Sequence, residues 1–199
     1  MKRFVVITIL LFLVCSKSYS VTYNSDPKIF IGELVLDVIN TLNDKSISEE
    51  KKIEFVEKIA LENVDIAALG MYTLGDVRKT LAPEKLEKYN KLFSKYFLKS
   101  LTSRLKDYSD NKFEVLNSEQ KSSTYTIVQS KVVQGSNQPE IKIDWRVYTK
   151  NTSKPLIRDL IVEGLSLART QKEEFASILN SNNKNINFLF EKLEDFISK

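Results

Sequence analysis

PEKLEKYNKLFSKYFLKSLTSRLKDY, residues 83–108, is the longest uninterrupted helical pattern in the chain. Leu86, Tyr89, Phe93, Tyr96, Phe97, Leu101, Leu105 and Tyr108 recur at the three-and-four spacing that lines one face of a 3.6-residue helix. Lys88, Lys91, Lys95, Lys99 and Lys106 fall on the opposite face. Pro83 suits the first helical turn, where a missing N–H costs nothing. Such a helix would run about 39 Å, longer than an ordinary core of this size needs. Its apolar face is rich in Phe and Tyr. It reads either as a core helix packed on a sheet or as one wall of a greasy cavity, and the rest of the chain has to decide between them.

The chain has 199 residues, 42% of them hydrophobic and 28% charged. These values describe one globular domain with a real core. Residues 1–20 read as a separate unit. Met1-Lys2-Arg3 is a short basic region, Phe4 to Val14 an apolar run too short to span a bilayer, and Ser18 and Ser20 supply small residues before a cleavage site. This predicts a secretory signal peptide cleaved after Ser20, with residues 21–199 as one mature domain. Lipidation at Cys15 is disfavoured by Val14 immediately before it. Of 30 basic residues, Lys2, Arg3 and Lys17 leave with the leader, so 27 stand against 26 acidic ones, a net charge of +1. The apparent basicity of the precursor therefore says nothing of nucleic acid. The one cysteine leaves as well, so a hydrophobic core and not a disulfide must hold the mature domain together.

In chain order, Asp26-Pro27 caps and opens a helix whose buried stripe is Phe30, Ile31, Leu34, Val35, Val38, Ile39 and Leu42. A second helix is expected from about Ser48 to Asn63, and a short third one after Asp65. Gly70 and Gly75 bracket a turn-rich segment, with another short helix over Asp76–Leu81. The long helix follows. Beyond Asp110-Asn111 the period changes to two. Phe113–Leu116, Thr124–Val133, Ile141–Tyr148 and Leu156–Val162 read as strands, joined by hairpin turns at residues 135–139 and 151–155. Glu163 to Ser166 leaves the sheet. Thr170 with Glu173 has the form of a capping box opening a helix, and a last helix covers about Ile186–Ile197. Helices, about four antiparallel strands, then helices again make an α+β fold with the sheet packed against a helical layer.

The sequence contains no histidine, which excludes Ser-His-Asp and Cys-His catalysis and the commonest zinc and haem ligand sets. No phosphate-cradling glycine loop is present. Asp144, Asp159 and Glu163 are the carboxylates that might form an acid/base pair, but on a strand's polar face they read first as solvated or paired with Arg146 or Arg158. The expectation is no catalytic residue, no metal and no cofactor.

Several stretches together resemble the MlaC family of periplasmic phospholipid-carrying proteins, also called the toluene-tolerance family of ABC-transport auxiliary components. They are LGDVRKTLAPEKLEKYNKLFSKYFLKSL (residues 74–101), IKIDWRVY (141–148) and IRDLIVEGLSLARTQKEEFASIL (157–179). The most specific part is D-x-x-x-E-G-x-S from Asp159 to Ser166. One departure is Val77-Arg78, where members often carry aromatics. The resemblance implies a deep apolar cavity between sheet and helices that carries a glycerophospholipid as cargo. It also implies handover in the periplasm between an inner-membrane ABC transporter complex and an outer-membrane lipoprotein/porin complex, which underlies outer-membrane lipid asymmetry.

On that reading Phe93, Phe97, Leu101 and Leu105 line the cavity from the long helix. Ile143, Trp145, Val147, Leu160 and Val162 line it from the sheet, and Leu69 and Tyr72 close an end. Arg104, in the middle of an apolar face, is a candidate head-group contact. The alternative is a periplasmic protein-binding adaptor without a lipid, docking through Lys91, Lys95 and Lys99.

Overall fold

The computed structural model describes residues 22–103, 112–133 and 139–199. The expected signal peptide, Arg104, Leu105 and the turn at 135–138 lie outside the described residues.

Helix α1 spans Pro27–Asn43, with the Asp26 carboxylate accepting from the backbone N–H groups of Lys28 and Ile29 and proline in the first turn. Helix α2 spans Glu49–Asn63, capped by Ser48. Helix α3, Ile66–Thr73, starts where the Asp65 side chain accepts from the N–H of Ala68. Gly75 takes a φ of +61°, a left-handed conformation that favours glycine, and begins a 3-10 turn over Gly75–Lys79. Helix α4, Pro83–Thr102, is the long helix; it ends with Ser103 as its C-cap, short of the expected Tyr108.

Strands β1 (Lys112–Ser122), β2 (Tyr125–Val133), β3 (Ile141–Tyr148), β4 (Leu156–Val162) and β5 (Leu165–Ser166) form one antiparallel sheet in sequential order. Val128 faces Trp145 across β2–β3, and Trp145 faces Leu160 across β3–β4. A register shift after Arg146 places Arg146 opposite Asp159 and Val147 opposite Ile157, so Arg158 and Asp159 form a bulge.

The sheet has one strand more than expected. Glu163 and Gly164 both take positive φ, 49° and 82°, the signature of a tight hairpin turn whose twist matches the strands. The chain therefore returns as β5 instead of leaving the sheet. Helix α5, Leu167–Ser181, then begins four residues earlier than the Thr170–Glu173 pattern suggests, with Ser166 as its cap. Thr170 lies inside the helix and donates its hydroxyl to the Ser166 carbonyl, while Glu173 pairs with Arg169 at 2.9 Å. Helix α6 spans Ile186–Ser198.

Two main apolar clusters and a smaller third one, around Leu42 and Val56, result among the described residues. The larger is all-helical: Tyr89 and Phe93 of α4 pack with Leu69 of α3, Phe175 and Leu179 of α5, and Leu189 and Leu193 of α6. The rings of Phe93 and Phe175 meet edge-on at 6.3 Å. The second lies between the sheet and α1–α2, where Phe30, Ile31 and Ile59 close on Val128, Val147 and Ile157. Asp65 ties the layers together, donating its backbone N–H to the Ile157 carbonyl and accepting the Arg158 guanidinium at 2.7 Å.

Gly70 shows how tightly the helical cluster fits. A Cβ there would sit 2.9 Å from Cδ1 of Phe93, a ring held on all sides. Gly70→Ala should cost about 1–3 kcal/mol, read as a lower midpoint in thermal unfolding.

Candidate functional site

The face of the sheet toward α1 is apolar by strict alternation: Ile143, Trp145 and Val147 on β3, then Leu160 and Val162 on β4. These residues are not equally covered. Val147 is fully buried, whereas Ile143, Trp145, Leu160 and Val162 are only half-buried. The indole of Trp145 is fixed in place, its Nε1–H donating to Ser130 Oγ at 2.8 Å. Ser130 in turn donates to the Ile143 carbonyl at 2.9 Å, and Phe113 meets the indole edge-on at 6.1 Å. The indole N–H and the Ser130 hydroxyl are thereby satisfied inside the sheet.

Facing the sheet, Val35 and Val38 of α1 and Phe55 of α2 are also half-buried. Val38 and Phe55 belong at once to the cluster holding Trp145 and Leu160 and to a smaller one in which Leu101 packs on Leu42 and Val56. Leu101 from the helix and Trp145 and Leu160 from two strands thus border two clusters that Val38 and Phe55 join. These side chains face the space between sheet and helices, are apolar and keep accessible surface, which makes them the candidates for an apolar binding interior.

The other sequence-derived candidates lie elsewhere. Phe93 is buried in the helical cluster, and Phe97 stacks on it at 6.4 Å. Leu69 is buried against the same cluster, and Tyr72, nearly half exposed, carries the Lys172 ammonium over its ring at 5.1 Å. The aromatic half of the long helix therefore builds the helical core, and its C-terminal Leu101 reaches the sheet side. On its polar face Lys91 pairs with Glu87 at 2.6 Å, and that hydrogen bond holds the Glu87 carboxyl below its usual range. Lys95 is exposed and Lys99 half-buried. Lys88 is drawn to α6, 3.0 Å from Glu194.

Val35, Val38 and Phe55 went unnamed as site residues because their spacing is that of any buried helical stripe. Nothing local in sequence separates a residue that lines a space from one that fills it.

Asp159 and Glu163 have structural partners. Asp159 accepts from Ser166 Oγ at 2.6 Å and from the N–H of Ala168 at 3.0 Å, with Arg146 3.7 Å away. Its side chain is 2% exposed, and it anchors the N-terminus of α5. Glu163 sits in the turn beyond the strand and accepts from the N–H of Lys142. The Tyr89 hydroxyl is buried 2.9 Å from Thr73 Oγ1, and burial pushes its pKa up, so it stays a neutral phenol. Among the described residues, no group of three or more His, Cys, Asp or Glu side chains is placed to hold a metal, and no helix is long and apolar enough to cross a membrane.

The MlaC protein family model matches residues 33–195. The chain belongs to the MlaC family. No curated protein matches it significantly. Among solved structures it is similar to the phospholipid-binding protein from Ralstonia solanacearum, determined in complex with a phospholipid. That match has a TM-score of 0.70 at 17% identity and covers 88% of this chain and 97% of the other. The shared feature is the fold. In this MlaC-family chain the segment D-x-x-x-E-G-x-S is one local device: Asp159 holds Ser166 and Ala168, Glu163-Gly164 make the turn, and Ser166 caps α5.

Proposed function

We propose that this chain is a lipid carrier that holds the acyl chains of a glycerophospholipid in the apolar interior between β3–β4, α1, α2 and the C-terminal end of α4. The observation that carries the reading is the set of half-buried, inward-facing apolar side chains, Val38, Phe55, Leu101, Trp145 and Leu160, gathered from five elements. The family and the phospholipid complex of a protein with the same fold support it. On this reading residues 1–20 are a cleaved signal peptide and residues 21–199 work in the periplasm as one domain. Ile143 and Val162 extend the sheet wall, and Arg104 contacts the head group. On the same reading Leu105 takes part in the helical wall and Val147 backs the sheet wall, whereas Phe93, Phe97 and Leu69 belong to the helical core and Leu69 and Tyr72 face the cleft on the other side of the sheet.

No chemical step is needed. Burying about thirty methylenes at about 0.8 kcal/mol each is worth on the order of 24 kcal/mol against water. A membrane buries the same chains equally well, so the net preference between membrane and carrier is small. Transfer should therefore be reversible and governed by docking to the inner-membrane transporter and the outer-membrane complex.

Native mass spectrometry of residues 21–199 purified from a bacterial periplasm tests the reading. A stoichiometric extra mass that extracts as diacyl glycerophospholipid is expected. An empty protein that also takes no lipid from vesicles would overturn it and favour an adaptor whose apolar faces are core alone.

Docking through the exposed lysine face of α4 is compatible with either reading. Lys91→Glu, Lys95→Glu and Lys99→Glu together should cut affinity for a membrane partner complex about tenfold or more by reversing a rim of charge. Phospholipid content should not change. A triple variant that binds as the parent does would remove this face from the docking surface.

A further inference from the structure

The opposite face of the sheet carries a second concavity. A cleft of about 900 Å³ runs between α3 on one side and the β1–β2 hairpin on the other. Its floor is Ile127 and Gln129 of β2, Asp144 and Arg146 of β3, and Ile161 of β4. These side chains alternate with those of the apolar interior, so the sheet separates the two spaces. Ile127 and Ile161 are half-buried and line the cleft, and an apolar floor between polar walls is the usual form of a contact site.

The charges in the cleft divide into spent and unspent. Arg158 is spent: it gives Nε and Nη2 to Asp65 and Nη1 to the Tyr125 hydroxyl, and lies 3.5 Å from the centroid of the Tyr148 ring. Lys121 pairs with Glu119 at 2.6 Å. Arg146 is not spent. Its side chain is 45% exposed, and its one ion pair, at 3.7 Å, is to an Asp159 carboxylate already taking hydrogen bonds from Ser166 and Ala168. Among the described residues Arg78 donates to the neutral carbonyls of Gly75 and Met71 and has no ion pair. Against these two guanidinium groups, Asp144 is the single lining carboxylate without an ion pair among the described residues. Free guanidinium N–H groups are the donors that fit a carboxylate two at a time.

We propose that this cleft is a docking site for an acidic, partly apolar segment of a partner protein. Carboxylates of the segment pair with Arg146 and Arg78, and its apolar side chains cover Ile127 and Ile161. That the partner belongs to a lipid-handover complex rests on the carrier reading; the chemistry of the cleft does not. Because the sheet lies between them, docking in the cleft leaves the lipid interior undisturbed, and loaded and empty protein bind the segment alike.

The test uses fluorescence anisotropy of two labelled peptides, one alternating glutamate with leucine and one alternating lysine with leucine, against residues 21–199. The acidic peptide is expected to bind and the basic one not. Arg146→Gln, which alters an exposed side chain and leaves the fold intact, should weaken the acidic peptide about tenfold, and adding Arg78→Gln should weaken it further. Leu101→Glu, in the lipid interior, should have no effect. Equal binding of both peptides, no binding of the acidic one, or an unchanged affinity in Arg146→Gln would each overturn the proposal. So would Arg146→Gln releasing the protein from anionic phospholipid vesicles while peptide binding stays the same, since the surface would then meet a membrane. Phospholipid content measured on the same samples judges the carrier reading separately.

Discussion

Trp145→Glu is expected to yield a folded protein that purifies without phospholipid. The indole is half-buried on the wall facing Val38 and Phe55, and the one polar atom it has is satisfied within the sheet by Ser130. A carboxylate in its place would have to sit against acyl chains unpaired or draw water into the interior. Even a modest cost of about 3 kcal/mol for that desolvation lowers lipid affinity about a hundredfold. The lipid has a membrane as its alternative, so little binding energy is in reserve to absorb the loss. Leu101→Glu makes the same change from the helical wall, where Leu101 packs on Leu42 and Val56, and should act in the same direction. Trp145→Phe keeps most of the apolar area and should retain the lipid. Native mass spectra of the three variants, with circular dichroism to establish the fold, decide the matter. Parental lipid content in both glutamate variants would remove these residues from the binding interior.

Asp159→Ala should produce the largest loss of stability of any single carboxylate change. The carboxylate is buried and accepts from the Ser166 hydroxyl and from the N–H of Ala168 in the first turn of α5, with the half-exposed Arg146 guanidinium 3.7 Å away. Removing it leaves the buried Ala168 N–H without an acceptor and the Ser166 hydroxyl without its partner, together about 3–5 kcal/mol. For a domain of this size that is a fall of roughly 6–20 °C in the unfolding midpoint. Asp159→Asn keeps an acceptor and should cost less. Both variants should carry phospholipid at parental stoichiometry well below their midpoints, because Asp159 faces away from the interior. A stability close to the parent's, with a specific loss of function, would instead mark Asp159 as an active group.

Much of the architecture is legible locally. Asp26-Pro27 starts α1 and Pro83 starts α4, because capping and a missing N–H act within one turn. The alternation through Ile143, Trp145 and Val147 assigns β3 and its two faces before any partner strand is known. The start of α5 is a different case. Thr170 and Glu173 satisfy the capping pattern as well as Ser166 does, and the choice falls to Ser166 because Asp159, across a turn, holds its hydroxyl and the N–H of Ala168. β5 is two residues long, too short to show a period, and exists because Glu163-Gly164 return the chain against β4.

The binding interior divides in the same way. Resemblance of three stretches to the MlaC family pointed to a lipid cavity, and periodicity supplied apolar faces on α4, β3 and β4. Neither distinguishes Phe93, which fills the helical core, from Leu101, two turns on, which meets the sheet side. Nor does either connect Arg78, Lys121, Arg146 and Arg158, four cations from four separate segments that one cleft brings together. By itself the sequence determined the elements, their apolar faces and the family, since helix and strand periods, caps and turns are set by residues a few positions apart. Tertiary structure alone decided which apolar faces are packed shut and which stay open. It also decided which charges are spent on one another, because both depend on the distances between elements that no local pattern encodes.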